Sequence, residues 1–190
     1  MDGSTRAAGS VAGITRTRHP ILAARAVMEH SPHVMMVGEG AETFARLQNL
    51  EQVDPSYFFT ERRWQQLEQF LRTNNLPVPP RPANAPPAPR AQLTYPDDHQ
   101  FGTVGVVAYD QHGNIAAGTS TGGTTGKRWG RVGDAPIIGA GTYAQNGVCG
   151  VSATGTGEFF IRVGVARDIC ARMELRGESA QEAASHVIAE

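Results

Sequence analysis

Cysteine is scarce in this chain, and so are charge imbalance and long apolar runs. Only Cys149 and Cys170 occur in 190 residues. Two are too few for a disulfide framework and fit no metal-ligand spacing, so reduced thiols in a reducing compartment are the simplest expectation. The net charge is −1, with no basic run or face that would suit nucleic acid or a membrane surface. The histidines, His19, His30, His33, His99, His112 and His186, form neither a His-x-x-x-His pair nor a His/Cys cluster, which argues against a catalytic zinc. No apolar stretch is long enough to cross a bilayer, and the N-terminus lacks a signal-peptide pattern. The expectation is a cytoplasmic protein with a small-molecule substrate and neither nucleic-acid nor membrane partner.

Proline is present in a block. Eight of the 12 prolines lie between Pro77 and Pro96, where regular backbone hydrogen bonding is excluded and an extended tether is expected over about residues 73–100. It divides a helical first half from a strand-rich second half, an α+β pattern. In the first half, Pro20 opens a helix that ends at Ser31-Pro32, and His33–Gly38 reads as a short buried strand. A helix follows over about 41–50. Thr60 caps another, whose Trp64, Leu67, Phe70 and Leu71 recur at helical spacing as expected core.

In the second half, Thr103–Asp110 and Ile115–Thr121 flank the turn Gln111-His112-Gly113-Asn114, a hairpin signature. Ala135–Ala140 suggests a further strand. Thr154-Gly155-Thr156-Gly157 leads into a helix over about 158–175, and Ser179 with Glu182 has capping-box spacing for one more. The last helix reaches Glu190 without a stop signal, and no strand precedes Met1-Asp2-Gly3 to pair with the hairpin. Both ends are therefore expected to be cut.

The polar groups that chemistry needs fall in a few segments. Cutting between Gly102 and Thr103 would leave Thr103 with a hydroxyl and an α-amine on one framework, and such an amine has a pKa of about 7.7–8.0. It can activate its own hydroxyl as a nucleophile. The antiparallel hairpin brings Thr121 near Thr103, although a strand-end hydroxyl also commonly satisfies a turn. Arg131 suits a substrate carboxylate in a bidentate fork and Asp134 a substrate ammonium; the same two residues fit a solvated ion pair in a turn. The backbone N–H groups of Thr154–Gly157 suit an oxyanion hole at a helix entry, or a plain entry capped by Thr156. Gly122-Gly123-Thr124-Thr125-Gly126-Lys127 falls short of a phosphate-binding loop, because three residues, not four, separate Gly122 from Gly126 and Arg128 follows Lys127. Lys127 and Arg128 read as solvated loop charges.

In this order, Gly102-Thr103-Val104-Gly105, Ser120-Thr121-Gly122-Gly123, Gly130-Arg131-Val132-Gly133-Asp134 and Thr154-Gly155-Thr156-Gly157-Glu158 resemble the motifs of the plant-type L-asparaginase/isoaspartyl peptidase family of N-terminal-nucleophile hydrolases. Met1-Asp2-Gly3 and Ser31-Pro32-His33-Val34-Met35-Met36 match as well. The resemblance implies a four-layer αββα sandwich, incomplete in this chain, as one domain over 1–190. Residues 1–102 would form an alpha-subunit part and 103–190 a beta-subunit part. It implies self-cleavage between Gly102 and Thr103, then attack of Thr103 on the side-chain amide of L-asparagine or on a β-linked isoaspartyl dipeptide. Thr121, Thr154 and Gly155 would join Thr103 as catalytic residues. Arg131, Val132, Gly133 and Asp134, with Thr154, Gly155, Thr156 and Gly157, would bind substrate. Gly102 before the nucleophile, where glycosylasparaginases carry Asp, favours the asparaginase/isoaspartyl branch. The family's His-Gly-Gly strand and sodium-binding loop have no counterpart here, so no metal or cofactor is expected. A homodimer of processed heterodimers is implied for a completed chain. The alternative is a non-processing remnant acting at most as an amino-acid-binding or interaction module.

Overall fold

The computed structural model describes residues 1–86 and 102–189. The later part of the proline-rich tether, including His99, and Glu190 lie outside the described residues. The chain has a mixed α/β arrangement.

In the first half, β1 (Ser10–Ala12) pairs in parallel with β2 (Met35–Val37), Ser10 opposite Met35. The crossover is α1 (Pro20–His30), which starts on a proline suited to the first helical turn and buries Ala23, Ala26 and Val27. The next helix, α2 (Gly38–Leu47), buries Ala41, Glu42 and Ala45. Burial alone would raise the pKa of Glu42. The Thr17 hydroxyl and the Thr15 and Arg16 amides donate to its carboxylate, and together they hold it below the ordinary value. Contrary to the sequence reading, β2 is not buried: Met35 and Val37 are exposed.

Thr60 does cap α3 (Glu61–Thr73), accepting from the Arg63 amide at 3.3 Å. The apolar stripe of α3 is not core, however, since none of its residues is buried. Trp64 meets Phe59, with ring centroids 6.1 Å apart. Phe70 closes over Gly126, and Arg63 reaches Gly102, so α3 spends its side chains on the loops beside the hairpin. At the start of the tether, Arg81 pairs with Glu61 at 2.6 Å and stacks over Phe59.

The hairpin forms as read, with β3 (Val104–Tyr109) antiparallel to β4 (Ile115–Ser120) and Val104 opposite Ser120. Asp110 organises the turn, accepting from the amides of His112 and Asn114, each at 2.8 Å. The other edge of β4 is also occupied. The Met1 amine donates to the Ala117 carbonyl at 2.8 Å, Ala117 N donates back at 3.1 Å, and Gly3 N donates to Ile115 O at 2.7 Å. Met1–Gly3 itself therefore pairs with the hairpin. All six residues of β3 are exposed.

Residues 135–140 are not a strand. Asp134 O accepts from Ile137 N at 2.9 Å and from Gly141 N at 3.1 Å, and Pro136 has no donor for a ladder. The strand starts later, as β5 (Thr142–Gln145), antiparallel to β6 (Cys149–Ser152). The two hairpins meet through hydroxyls: Thr119 Oγ1 lies 2.6 Å from Thr142 Oγ1 and 2.7 Å from Ser152 Oγ.

The single helix expected over 158–175 is two, α4 (Gly157–Val163) and α5 (Val165–Arg176). They break at Gly164, whose φ of 71° ends one helix in the left-handed region and opens the next. The capping box holds for α6 (Ala180–Ala189): Ser179 N donates to Glu182 Oε2 at 2.9 Å, and Glu182 N to Ser179 Oγ at 3.3 Å. Val165, Ile169, Ala183 and Val187 form the core between α5 and α6.

The cysteines are not free thiols. Cys149 of β6 and Cys170 of α5 form a disulfide with Cα atoms 5.6 Å apart, buried with Tyr143 and Ala166. The sequence reading missed it because the pairing depends on α5 packing across the β5–β6 hairpin, not on spacing. For a separation of 21 residues, Cys170→Ala should cost about 3 kcal/mol, or roughly 6–12 °C in Tm for a chain of this size. Calorimetry with and without reductant checks this. A wild-type Tm that reductant leaves unchanged would contradict a closed disulfide.

Candidate active site

The short loop after β4 and the start of β3 face each other at one end of the hairpin. There the Thr103 hydroxyl donates to Thr121 Oγ1 at 3.1 Å, the juxtaposition expected from antiparallel register. Gly102, the residue before the candidate nucleophile, lies under the Arg63 guanidinium from α3. Thr121 Oγ1 also accepts from Gly123 N at 3.0 Å. Two residues back on the same strand face, Thr119 enters the Thr142–Ser152 hydroxyl cluster. That cluster was not read from sequence, because Thr119 lies more than 20 residues from both Thr142 and Ser152 and the three carry no motif.

The second group gathers around the N-terminus of α4. Arg131 donates from Nε to Glu158 Oε1 at 2.8 Å and from Nη2 to Oε2 at 2.9 Å. The fork foreseen for a substrate carboxylate is therefore occupied by Glu158, leaving Nη1 beside Gly133. The Arg131 guanidinium draws the Glu158 pKa down to about 2.

Asp134 is buried at 8 % exposure, and its Oδ2 has no hydrogen-bond partner. Burial raises its pKa, against the opposing pull of backbone N–H groups and Arg131. A buried carboxylate oxygen left open costs stability unless a cation or donor meets it. It is suited to receive an ammonium.

Both side chains crowd one glycine. A Cβ on Gly157 would stand 2.9 Å from Arg131 Nη2, 3.0 Å from Asp134 Oδ1 and 3.1 Å from the Asp134 amide nitrogen. Gly157→Ala should therefore displace the Arg131 and Asp134 side chains. The expected cost is about 1–3 kcal/mol of stability, as for other overpacked sites, together with weaker substrate binding. Thermal melts and ligand titration against the wild type check this, and an unchanged variant would contradict the packing.

A cavity of about 610 Å³ takes in Thr121, Arg131, Val132 and Gly133 together with Ile21, Ala24 and Met28 of α1. Thr103, Asp134 and Thr154–Gly157 stand outside its wall. Thr154, Gly155 and Thr156 lie on the loop between β6 and α4, with Phe160 against Gly155. Thr156 holds the N-cap position of α4 without a capping hydrogen bond from its side chain.

Lys127, expected as a solvated loop charge, bonds the Gly122 carbonyl at 2.7 Å. Although much of this side chain is exposed, its ammonium pKa is lowered by partial desolvation and by nearby Arg131. Arg128 stacks over Trp129 at 4.5 Å. Among the described residues, no group of three or more His, Cys, Asp or Glu side chains converges as a metal site, and no helix is long and apolar enough to cross a membrane.

A family model described as "Asparaginase" matches residues 1–190. An "Isoaspartyl peptidase" from Salmonella typhimurium is 49 % identical over 190 residues, covering 100 % of this chain and 58 % of the relative. A "Plant-type L-asparaginase" from Pyrococcus furiosus is 42 % identical over 187 residues, covering 97 % of this chain and 58 % of the relative. An "Isoaspartyl peptidase/L-asparaginase" from Xenopus laevis is 41 % identical over 184 residues, covering 97 % and 54 %. The chain thus spans a little over half the length of these relatives. It belongs to the asparaginase family.

Proposed function

We propose, from that membership, that this chain carries the nucleophile and substrate clamp of a self-processing threonine amidohydrolase. The observation that carries the reading is the Thr103–Thr121 hydroxyl pair, 3.1 Å apart, directly after Gly102. In the precursor, Thr103 Oγ1 attacks the Gly102 carbonyl carbon. The acyl group moves from nitrogen to oxygen, and water hydrolyses the ester to a Gly102 carboxylate and a free Thr103 amine. The chain divides into an alpha part, 1–102, and a beta part, 103–190.

The freed amine, with a pKa of about 7.7–8.0 in the absence of perturbation, takes the proton from the Thr103 hydroxyl as it attacks a side-chain amide. Thr121 supports the oxygen as charge develops on it. Arg131 binds the substrate α-carboxylate through the edge that Glu158 leaves open, and the unpartnered Asp134 carboxylate takes the α-ammonium. Thr154 and Gly155 serve the oxyanion, while Val132, Gly133, Thr156 and Gly157 shape the substrate's surroundings. Ammonia or an amino acid leaves, and water frees aspartate from the acyl-enzyme.

L-asparagine and isoaspartyl dipeptides are the proposed substrates, with no cofactor. The relatives' names support them: one is called an isoaspartyl peptidase, one a plant-type L-asparaginase and one both. The whole protein would be a four-layer αββα sandwich, assembled as a homodimer of processed heterodimers. The test is release of aspartate from each substrate by the processed protein. Hydrolysis of neither, by a chain already cut before Thr103, would refute the substrate assignment.

A further inference from the structure

We infer that Lys127 is a positioning residue for the nucleophile, acting through the single peptide group that joins Gly122 to Gly123. The inference rests on the reading of Thr103 as nucleophile given above. The carbonyl of that peptide accepts from the Lys127 ammonium at 2.7 Å. Its N–H, contributed by Gly123, donates to Thr121 Oγ1 at 3.0 Å. Thr121 Oγ1 in turn accepts from the Thr103 hydroxyl at 3.1 Å. A cation, a peptide and two hydroxyls therefore form one unbroken chain.

Its electrostatics have a direction. A charge-assisted bond on the carbonyl oxygen draws electron density out of the amide, so the same group's N–H becomes a stronger donor. A Thr121 oxygen that accepts this stronger N–H carries less electron density. Once the Thr103 proton has passed to the freed amine, the Thr121 O–H turns to donate to Thr103 Oγ1 in place of accepting from it. It is then a better donor toward the negative charge that builds there during attack. Lys127, which shares the wall of the cavity with Thr121 and Arg131, thus contributes positive potential to the nucleophile through this peptide.

The geometry also confines the loop. The Lys127 stem folds back over Gly123, where a Cβ would stand 3.0 Å from Nζ and 3.1 Å from Cδ. Neighbouring Arg128 is engaged with the Trp129 ring, so the adjacent cation is directed elsewhere.

The test compares wild type, Lys127→Met and Lys127→Arg in the full chain by two readouts. The first is the Gly123 amide in ¹H–¹⁵N spectra. It should move upfield in K127M, as its hydrogen bond weakens, and return toward the wild-type position in K127R. The second is the rate of cleavage before Thr103 and then kcat on L-asparagine. Both should fall about tenfold in K127M, equivalent to about 1.4 kcal/mol, with KM changed less than twofold and most of the loss recovered in K127R.

A Gly123 amide that stays in place in a folded K127M chain would overturn the inference. So would equal rates in K127M and wild type, or a K127R variant as slow as K127M. Should no variant cleave, wild type included, the proposed function fails, and the Gly123 amide still decides whether Lys127 polarises this peptide.

Discussion

Thr103→Ala should leave the chain uncut at 20.3 kDa under conditions in which wild type divides, and should show no amidase activity. Removing Oγ1 removes both the atom that attacks the Gly102 carbonyl and the acceptor for the later acyl transfer. No neighbouring hydroxyl takes over, because Thr121 is fixed as the partner of Thr103 and Gly123 and has no α-amine to liberate. Thr103→Ser should still cleave, more slowly, since the γ-methyl that restricts χ1 is lost while the oxygen remains. Thr121→Ala should slow both steps by about 10–100-fold, the range for losing one hydrogen bond on developing charge. Intact mass against time distinguishes the three. Cleavage of the alanine variant at an unchanged rate would assign the chemistry elsewhere.

The second large effect concerns Asp134. Asp134→Asn should weaken binding of an α-ammonium substrate by about 10–100-fold, as expected for removing a charged hydrogen-bond partner worth about 1.5–3 kcal/mol. The same change should stabilise the substrate-free protein. Burial raises the pKa of Asp134 above the ordinary carboxylate value, so the folded state holds its proton to higher pH than the unfolded state does.

The sign follows from proton linkage. Below the unfolded-state pKa the carboxyl is neutral in both states, and burial carries no ionisation penalty. As pH rises through the window up to the raised folded pKa, the native state loses stability, and the loss persists above it. The asparagine variant should accordingly melt higher than wild type at neutral pH, with the difference vanishing below about pH 4, near the ordinary value for Asp. Melts across this range, paired with substrate titrations, check both halves. Weaker binding without added stability would mean that the open Oδ2 is not a stored cost. Such an exchange of stability for function is common where a site holds an unsatisfied group for its ligand.

The hairpin and the Thr103–Thr121 encounter were legible because they depend on local rules: two short strand-forming runs, a polar turn at 111–114, and antiparallel closure. The capping residues Thr60 and Ser179 were legible for the same reason. What sequence did not disclose depends on distant packing. Glu158 takes the Arg131 fork from 27 residues away, although the motif places it one residue after Gly157. Cys149 and Cys170 meet only because α5 lies across β6. The stripe on α3 has the period of a core helix, yet Phe70 and Arg63 turn to Gly126 and Gly102, and periodicity alone does not say what a face will cover. Gly164 lies inside the single helix expected over 158–175, whereas its left-handed backbone divides that stretch into α4 and α5.

The most direct measurement is the N-terminal residue of the fragments formed when the wild-type chain is purified and held at neutral pH. The account expects a new N-terminus at Thr103, with the complementary fragment ending at Gly102. A folded chain that stays whole, or one that is cut at another bond, would contradict Thr103 as the self-released nucleophile.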